Sequence, residues 1–317
     1  MKSELRLFAA LFRFCITIYL RRKTMKTKNI LYVLGLVVIV IFVGCSNSTN
    51  EVEPEENTNV ESNNQEEVEE ETPGLENNDH GLDQDEANNE EQEPEEVVPP
   101  TYELNSETWS IIPIDDANEQ VVLLTIDDAP DGYALDMAKT LQALDANAIF
   151  FVNGHFLETT EQKEILKEIY DMGFMIGNHT YSHPVLPDLS EEEQKEEIVK
   201  VSDMVEEIIG ERPKFFRAPH GANTDYTEEL AQEEGMLLMN WSYGYDYFKP
   251  YQDKDKLTTA MITGEGPEVD VPYSLLKPGA NLLMHDREWT AAALHDIVIG
   301  LREQGYEMVD PKLIKID

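Results

Sequence analysis

From residue 121 onward, short apolar runs alternate with stretches of helical periodicity. Strands are predicted at 121–126, 148–152, 174–176, 215–217, 236–241, 282–285 and 306–309. Apolar residues recur at three- and four-residue spacing across 134–144, 161–171, 191–209, 226–234 and 290–303, which predicts helices between the strands. The interval 253–277 holds Gly264, Gly266, Pro267 and Pro272 and reads as one short helix and a long loop. Residues 101–118 add a short edge segment. Strictly alternating units of this kind imply parallel strands with right-handed crossovers. A run such as Val-Val-Leu-Leu-Thr-Ile at 121–126 fits a strand buried on both faces. The expectation is an α/β fold of seven units, closed as a barrel or open as a doubly wound sheet. No G-x-G-x-x-G follows the first strand, so dinucleotide binding has no support.

In parallel α/β folds the site lies at the carboxyl ends of the strands. Those ends carry Asp127-Asp128, Asn153 and His155, Asn178-His179 through His183, Arg217 with Pro219-His220-Gly221, Trp241 and Asp246, and His285-Asp286. Five of the seven histidines sit there; His80 and His295 do not. His179 and His183, with Asp128 from another strand, are a two-imidazole, one-carboxylate set that binds Zn²⁺ and leaves positions open. A loop also holds two histidines for packing alone. Asp127, beside Asp128, is placed to act as a base; the alternative role, an N-cap before Ala134, is served as well by Asp131. Arg217 ends an apolar strand and can hold a carboxylate through two hydrogen bonds. His285 is either a proton donor to a leaving group or a satisfied buried histidine. His155 is expected to pack.

Charge divides the chain into three regions. The whole carries 24 Lys+Arg against 64 Asp+Glu, which weighs against nucleic acid as a partner. Residues 1–45 hold 8 basic and 1 acidic side chains; residues 46–100 hold 20 acidic and no Lys or Arg. The middle stretch has almost no large apolar residues, so a disordered, extended tether is expected. In the first region a basic segment from Met25 leads into an apolar run, Ile30 to Val43, of 14 residues, too short for a membrane-spanning helix. Phe42-Val43-Gly44-Cys45 resembles the bacterial lipobox, with Phe42 where Leu is usual. This implies cleavage before Cys45 and lipidation of that residue; an uncleaved anchor is the alternative. The expected start is then Met25. The catalytic domain is expected over 101–317.

The segments Thr-Ile-Asp-Asp-Ala-Pro at 125–130, His-Thr-Tyr-Ser-His at 179–183, Arg-Ala-Pro-His-Gly at 217–221 and Leu-Leu-Met-His-Asp at 282–286 occur in one order. Together they resemble the polysaccharide deacetylase family, the NodB-homology domains of carbohydrate esterase family four, over about 121–309. The resemblance implies a distorted (β/α)₇ barrel that removes acetyl groups from cell-wall glycan. It implies Asp127 as base, Asp128, His179 and His183 as metal ligands, Arg217 as the group orienting the base, and His285 as acid. Trp241 and Leu283 would flank the acetyl methyl, Pro219 and His220 would contact substrate, and the His220 N–H would face the oxyanion. Asp246 would tune His285. Ala129 replaces the usual Gly, His220 an aromatic residue, and Asp246-Tyr247 the usual Asp-Trp at a shifted spacing. The expected cofactor is a divalent metal, Zn²⁺ first, with Co²⁺ or Ni²⁺ as alternatives. The expected protein is a monomer, lipid-anchored outside the cell membrane and facing peptidoglycan. The alternatives are a wall-binding lipoprotein of the same fold with negligible turnover, and an O-acetyl esterase on xylan-like glycans.

Overall fold

The computed structural model describes residues 98–316. The expected signal, Cys45 and the expected tether up to residue 97 lie outside the described residues. Among those described, no helix is long and apolar enough to cross a membrane.

Two short strands, β1 (Tyr102–Leu104) and β2 (Ile111–Pro113), pair as an antiparallel hairpin. Then follow β3 (Val121–Ala129), α1 (Ala134–Ala143), β4 (Ile149–Val152), α2 (Thr160–Asp171), β5 (Met175–Asn178), α3 (Glu191–Ile209), β6 (Phe215–Phe216) and α4 (Asp225–Glu233). The chain continues with β7 (Leu237–Leu238), α5 (Lys254–Thr263), β8 (Ala280–His285), α6 (Glu288–Glu303) and β9 (Glu307–Met308). The main sheet is parallel throughout, in the order β7-β6-β5-β4-β3-β8, with β9 beside the start of β3. Past β7 the backbone returns to β8: Ser242 N–H donates to Asn281 O and Leu283 N–H to Tyr243 O, both at 2.8 Å. The sheet therefore curls until irregular backbone joins its two ends, the distorted (β/α)₇ barrel.

Side-chain alternation along β3 explains its unbroken apolar run. Val122, Leu124 and Ile126 face outward and pack with Met137 and Leu141 of α1 and Ile297 and Leu301 of α6. Val121 and Leu123 face inward with Ile149, Phe151, Phe215 and Met239, and Tyr102 and Ile111 of the hairpin complete this inner cluster. Gly177 makes room for the filling: a Cβ there would lie 2.4 Å from the Phe151 ring. Phe151 thus forms the floor on which the site rests.

Of the predicted strands, 236–241 is shortened most. Regular pairing covers only Leu237–Leu238, not 236–241. The carbonyls of Met239 and Asn240 accept instead from Arg217, at 3.3 and 2.9 Å, so they are withdrawn from any ladder.

Candidate active site

Strand alternation would send Asp127 and Asp128 to opposite faces of the sheet. Asp127 stays in register, opposite His285 on β8. Between Ile126 and Ala129 the pairing with β4 slips, and Asp128 takes a positive φ of 61°. Such a bulge re-aims a side chain, and here it brings both carboxylates to one cavity. His183 and His220, both at φ 59°, and Thr180, at 68°, are also left-handed non-glycine residues. Strain of this kind costs about 1–3 kcal/mol each and gathers at functional sites.

Asp127 is 2% exposed and Arg217 is wholly buried. Arg217 Nη1 donates to Asp127 Oδ1 at 2.7 Å and to Thr125 Oγ1 at 2.8 Å. Its remaining donors reach the carbonyls of Met239 and Asn240, and its guanidinium lies 4.4 Å above the Phe151 ring. Burial pulls the guanidinium below its ordinary pKa, and the Asp127 charge counters this. The base candidate is thus fixed through one oxygen, while Asp127 Oδ2 points toward His179 Nε2 at 3.6 Å.

Asp128, His179 and His183 each turn one ligand atom into a shared space, all within 4.8 Å of one another. Asp128 Oδ1 lies 3.8 Å from His179 Nε2 and 3.4 Å from His183 Nε2. His179 Nδ1 is 2.7 Å from the Arg217 carbonyl oxygen, which fixes the N–H on Nδ1 and leaves the Nε2 lone pair facing the cluster. Burial holds the His179 pKa below its usual value despite the Asp127 and Asp128 charges. Burial and the neighbouring His179 pull His183 down to about 4. Two neutral imidazoles and a carboxylate are the donor set a divalent cation takes, so the residues fit one.

Across the cavity, His285 Nδ1 is 2.8 Å from Asp246 Oδ1, and the His285 N–H donates to Asp246 Oδ2 at 2.6 Å. Thr290 Oγ1 also donates to Asp246 Oδ2, at 2.9 Å. Burial favours the neutral ring, but the charge and hydrogen bond of Asp246 outweigh it and raise the His285 pKa to about 9.

The cavity holds about 560 Å³ and is lined by these groups together with His220, Trp241, Tyr247, Leu283, Arg287 and Trp289. Pro219 is buried and, like Arg217, does not line it. Gly221 (φ 65°) lets the chain pass under Trp241, whose ring would lie 3.1 Å from a Cβ. His155 packs on Phe156, with Nδ1 2.7 Å from the Tyr181 carbonyl oxygen.

Neither Asp127 nor Asp131 caps α1, whose N-cap is Tyr133 with no side-chain cap hydrogen bond. The N–H groups of Asp131, Gly132 and Tyr133 all donate to the Asp286 carboxylate, at 2.6, 3.0 and 2.6 Å. Asp131 pairs with Arg287 at 3.2 Å. Asp286 and Arg287 had no assigned part in the sequence reading. The signal for Arg287 was available: a cation follows directly on His285-Asp286 and opens a helix, where a cation is unfavourable.

The polysaccharide deacetylase family profile matches residues 114–239. A peptidoglycan-N-acetylglucosamine deacetylase of Bacillus cereus is 34% identical over 194 residues, covering 61% of this chain and 67% of that protein. The structure of peptidoglycan deacetylase PdaC from Bacillus subtilis matches with a TM-score of 0.52 at 28% identity, over 62% of this chain and 90% of that one. A CE4 family pseudoenzyme from Bacillus anthracis matches with a TM-score of 0.54 at 27% identity, over 63% of this chain and 68% of that one. The chain belongs to the polysaccharide deacetylase family.

Proposed function

We propose that this chain is a metal-dependent hydrolase that removes N-acetyl groups from cell-wall polysaccharide, with peptidoglycan N-acetylglucosamine as substrate. One observation carries the reading. A single cavity gathers a carboxylate held by a buried arginine, an Asp-His-His cluster and an Asp-paired histidine. A binding module has no need of three such sets. The Bacillus cereus relative supports the choice of glycan.

Asp128, His179 and His183 would hold the cation, Zn²⁺ first and Co²⁺ or Ni²⁺ as alternatives. When bound, it supplies Lewis acidity to the acetamide oxygen and to water. Asp127, held by Arg217 through Oδ1, has Oδ2 free to take a proton from the attacking water. The His220 N–H is the donor assigned to the oxyanion. His285, protonated at neutral pH by virtue of Asp246, gives its proton to the departing nitrogen. One water is consumed, the C–N bond breaks, and acetate and a free amine result. Trp241, Leu283 and Trp289 give the cavity apolar walls suited to an acetyl group and sugar faces.

We place the domain outside the membrane, anchored by a lipid on Cys45 and carried as a monomer on the acidic tether of 46–100. Acetate release from peptidoglycan, N-acetylglucosamine oligomers and acetylxylan, after chelation and again after Zn²⁺ addition, tests the proposal. Zn²⁺-restored release from the first two substrates is expected. Release from acetylxylan alone would favour the esterase, and none from any substrate would favour the binding protein.

A further inference from the structure

Arg287 is the one Lys or Arg among the described residues that line the cavity. It sits at the N-cap of α6, a position with no side-chain cap. Ser, Thr, Asp and Asn are preferred there, and a cation opposes the helix dipole. Helix stability therefore does not account for this residue. Its partners do. Nη2 donates to Asp128 Oδ2 at 2.6 Å, and Nη1 to Asp131 Oδ2 at 3.2 Å and the Asp286 carbonyl oxygen at 2.7 Å. The guanidinium thus spans the end of β3 and the loop after β8.

The effect on Asp128 is specific. One oxygen, Oδ2, is taken by Arg287, and the other, Oδ1, faces His179 and His183. Asp128 itself sits at a positive φ of 61°, in the bulge that turns its carboxylate into the cavity. A carboxylate free to turn would offer a cation two oxygens and fill a position that substrate and water need. We propose that Arg287 is a positioning residue: it holds Asp128 to one-oxygen ligation and thereby sets the affinity and openness of the metal site. This rests on the reading of Asp128, His179 and His183 as metal ligands.

The experiment is Zn²⁺ competition against a chromophoric chelator, with Co²⁺ absorption spectra, on the full chain and on Arg287→Met and Arg287→Lys. Loss of a partner that orients a ligand lowers metal affinity by about 10–100-fold, and this is expected for Arg287→Met, with a changed Co²⁺ spectrum. Arg287→Lys keeps the charge without the fork and should fall between the two. The metal-free melting temperature should stay near that of the wild type, since α6 loses a poor cap. Zn²⁺ affinity in Arg287→Met equal to or above that of the wild type overturns the proposal, because the arginine would then be idle or merely repel the cation. Should Arg287→Met fail to fold, wild-type affinity and spectrum in Arg287→Lys overturn it. A wild-type chain that takes up no divalent cation defeats the metal-site reading itself.

Discussion

Two adjacent aspartates are each gripped by an arginine, at almost the same distance, in opposite surroundings. Arg217 meets Asp127 at 2.7 Å with side chains 0% and 3% exposed. Arg287 meets Asp128 at 2.6 Å with side chains 33% and 13% exposed. The first pair is embedded among Thr125, Met239, Asn240 and the Phe151 ring, so its geometry is part of the core. The second lies on the cavity rim, where solvent weakens the attraction. Proximity of charge alone therefore does not tell what a pair is for. Breaking the buried pair should damage fold and chemistry together, and breaking the rim pair should damage the site alone.

The largest effect expected is on turnover. Asp127→Asn keeps size but removes the proposed base, and kcat should fall about 10²–10⁴-fold while metal content is retained. Asp128→Ala should instead lose metal, with activity partly restored by excess Zn²⁺. Elemental analysis beside acetate release separates the two. A metal-free Asp127→Asn protein, or full metal in Asp128→Ala, would reverse the assignment.

Stability should divide the arginines next. Arg217→Met leaves Asp127 buried and unpaired, at a cost of about 3–5 kcal/mol. Adding Asp127→Asn to that variant should recover part of the loss, because no charge is then stranded. Arg287→Met should cost the metal-free protein no more than about 1 kcal/mol. Urea unfolding of the three variants makes the measurement, and equal losses from the two arginine changes would mean that the two pairs do not differ in this way.

The Asp246–His285 pair gives a pH test. With a His285 pKa of about 9, the rate should fall on the alkaline side near that value. Asp246→Asn removes the main charge that raises it, so the alkaline limb should move down by at least about one unit. Stability follows the same linkage. The unfolded ring titrates near about 6.5, so stabilisation is complete below that pH and is lost as pH rises toward the folded value. The decline, about 3 kcal/mol at most, should shrink in Asp246→Asn. A pH–rate profile unchanged by that substitution would remove His285 from the role of acid.

Much of this was legible from residue patterns. Continuous apolar runs and strand-end histidines gave the parallel architecture and the position of the site, because burial on both faces and alternation are local properties. The bulge at Asp128 was not legible. Ordinary alternation separates Asp127 from Asp128, and only the slipped pairing with Val152 brings them together. Nor was the short β7, since the carbonyls of Met239 and Asn240 are diverted by a guanidinium more than 20 residues earlier in the chain. Asp286 shows the same limit: three N–H groups from residues 131–133 converge on a carboxylate more than 150 positions away.

The smallest effect concerns Ala129, which stands where the family usually has Gly. Its side chain is wholly buried, directly after the left-handed Asp128, and its carbonyl accepts from Asn153 N–H at 3.1 Å. The methyl group is accommodated, and the bulge that aims both aspartates is already formed with it in place. Ala129→Gly adds backbone freedom next to a strained residue and should lower stability by about 0.5–1 kcal/mol. Turnover should stay within about threefold, a change under 1 kcal/mol in barrier. A rise of tenfold or more from a low starting rate would mean that Ala129 holds the site out of line. The two aspartates would then sit in a resting geometry, and the binding-protein reading, for which a CE4 pseudoenzyme offers a precedent in fold, would gain the ground that the deacetylase reading loses.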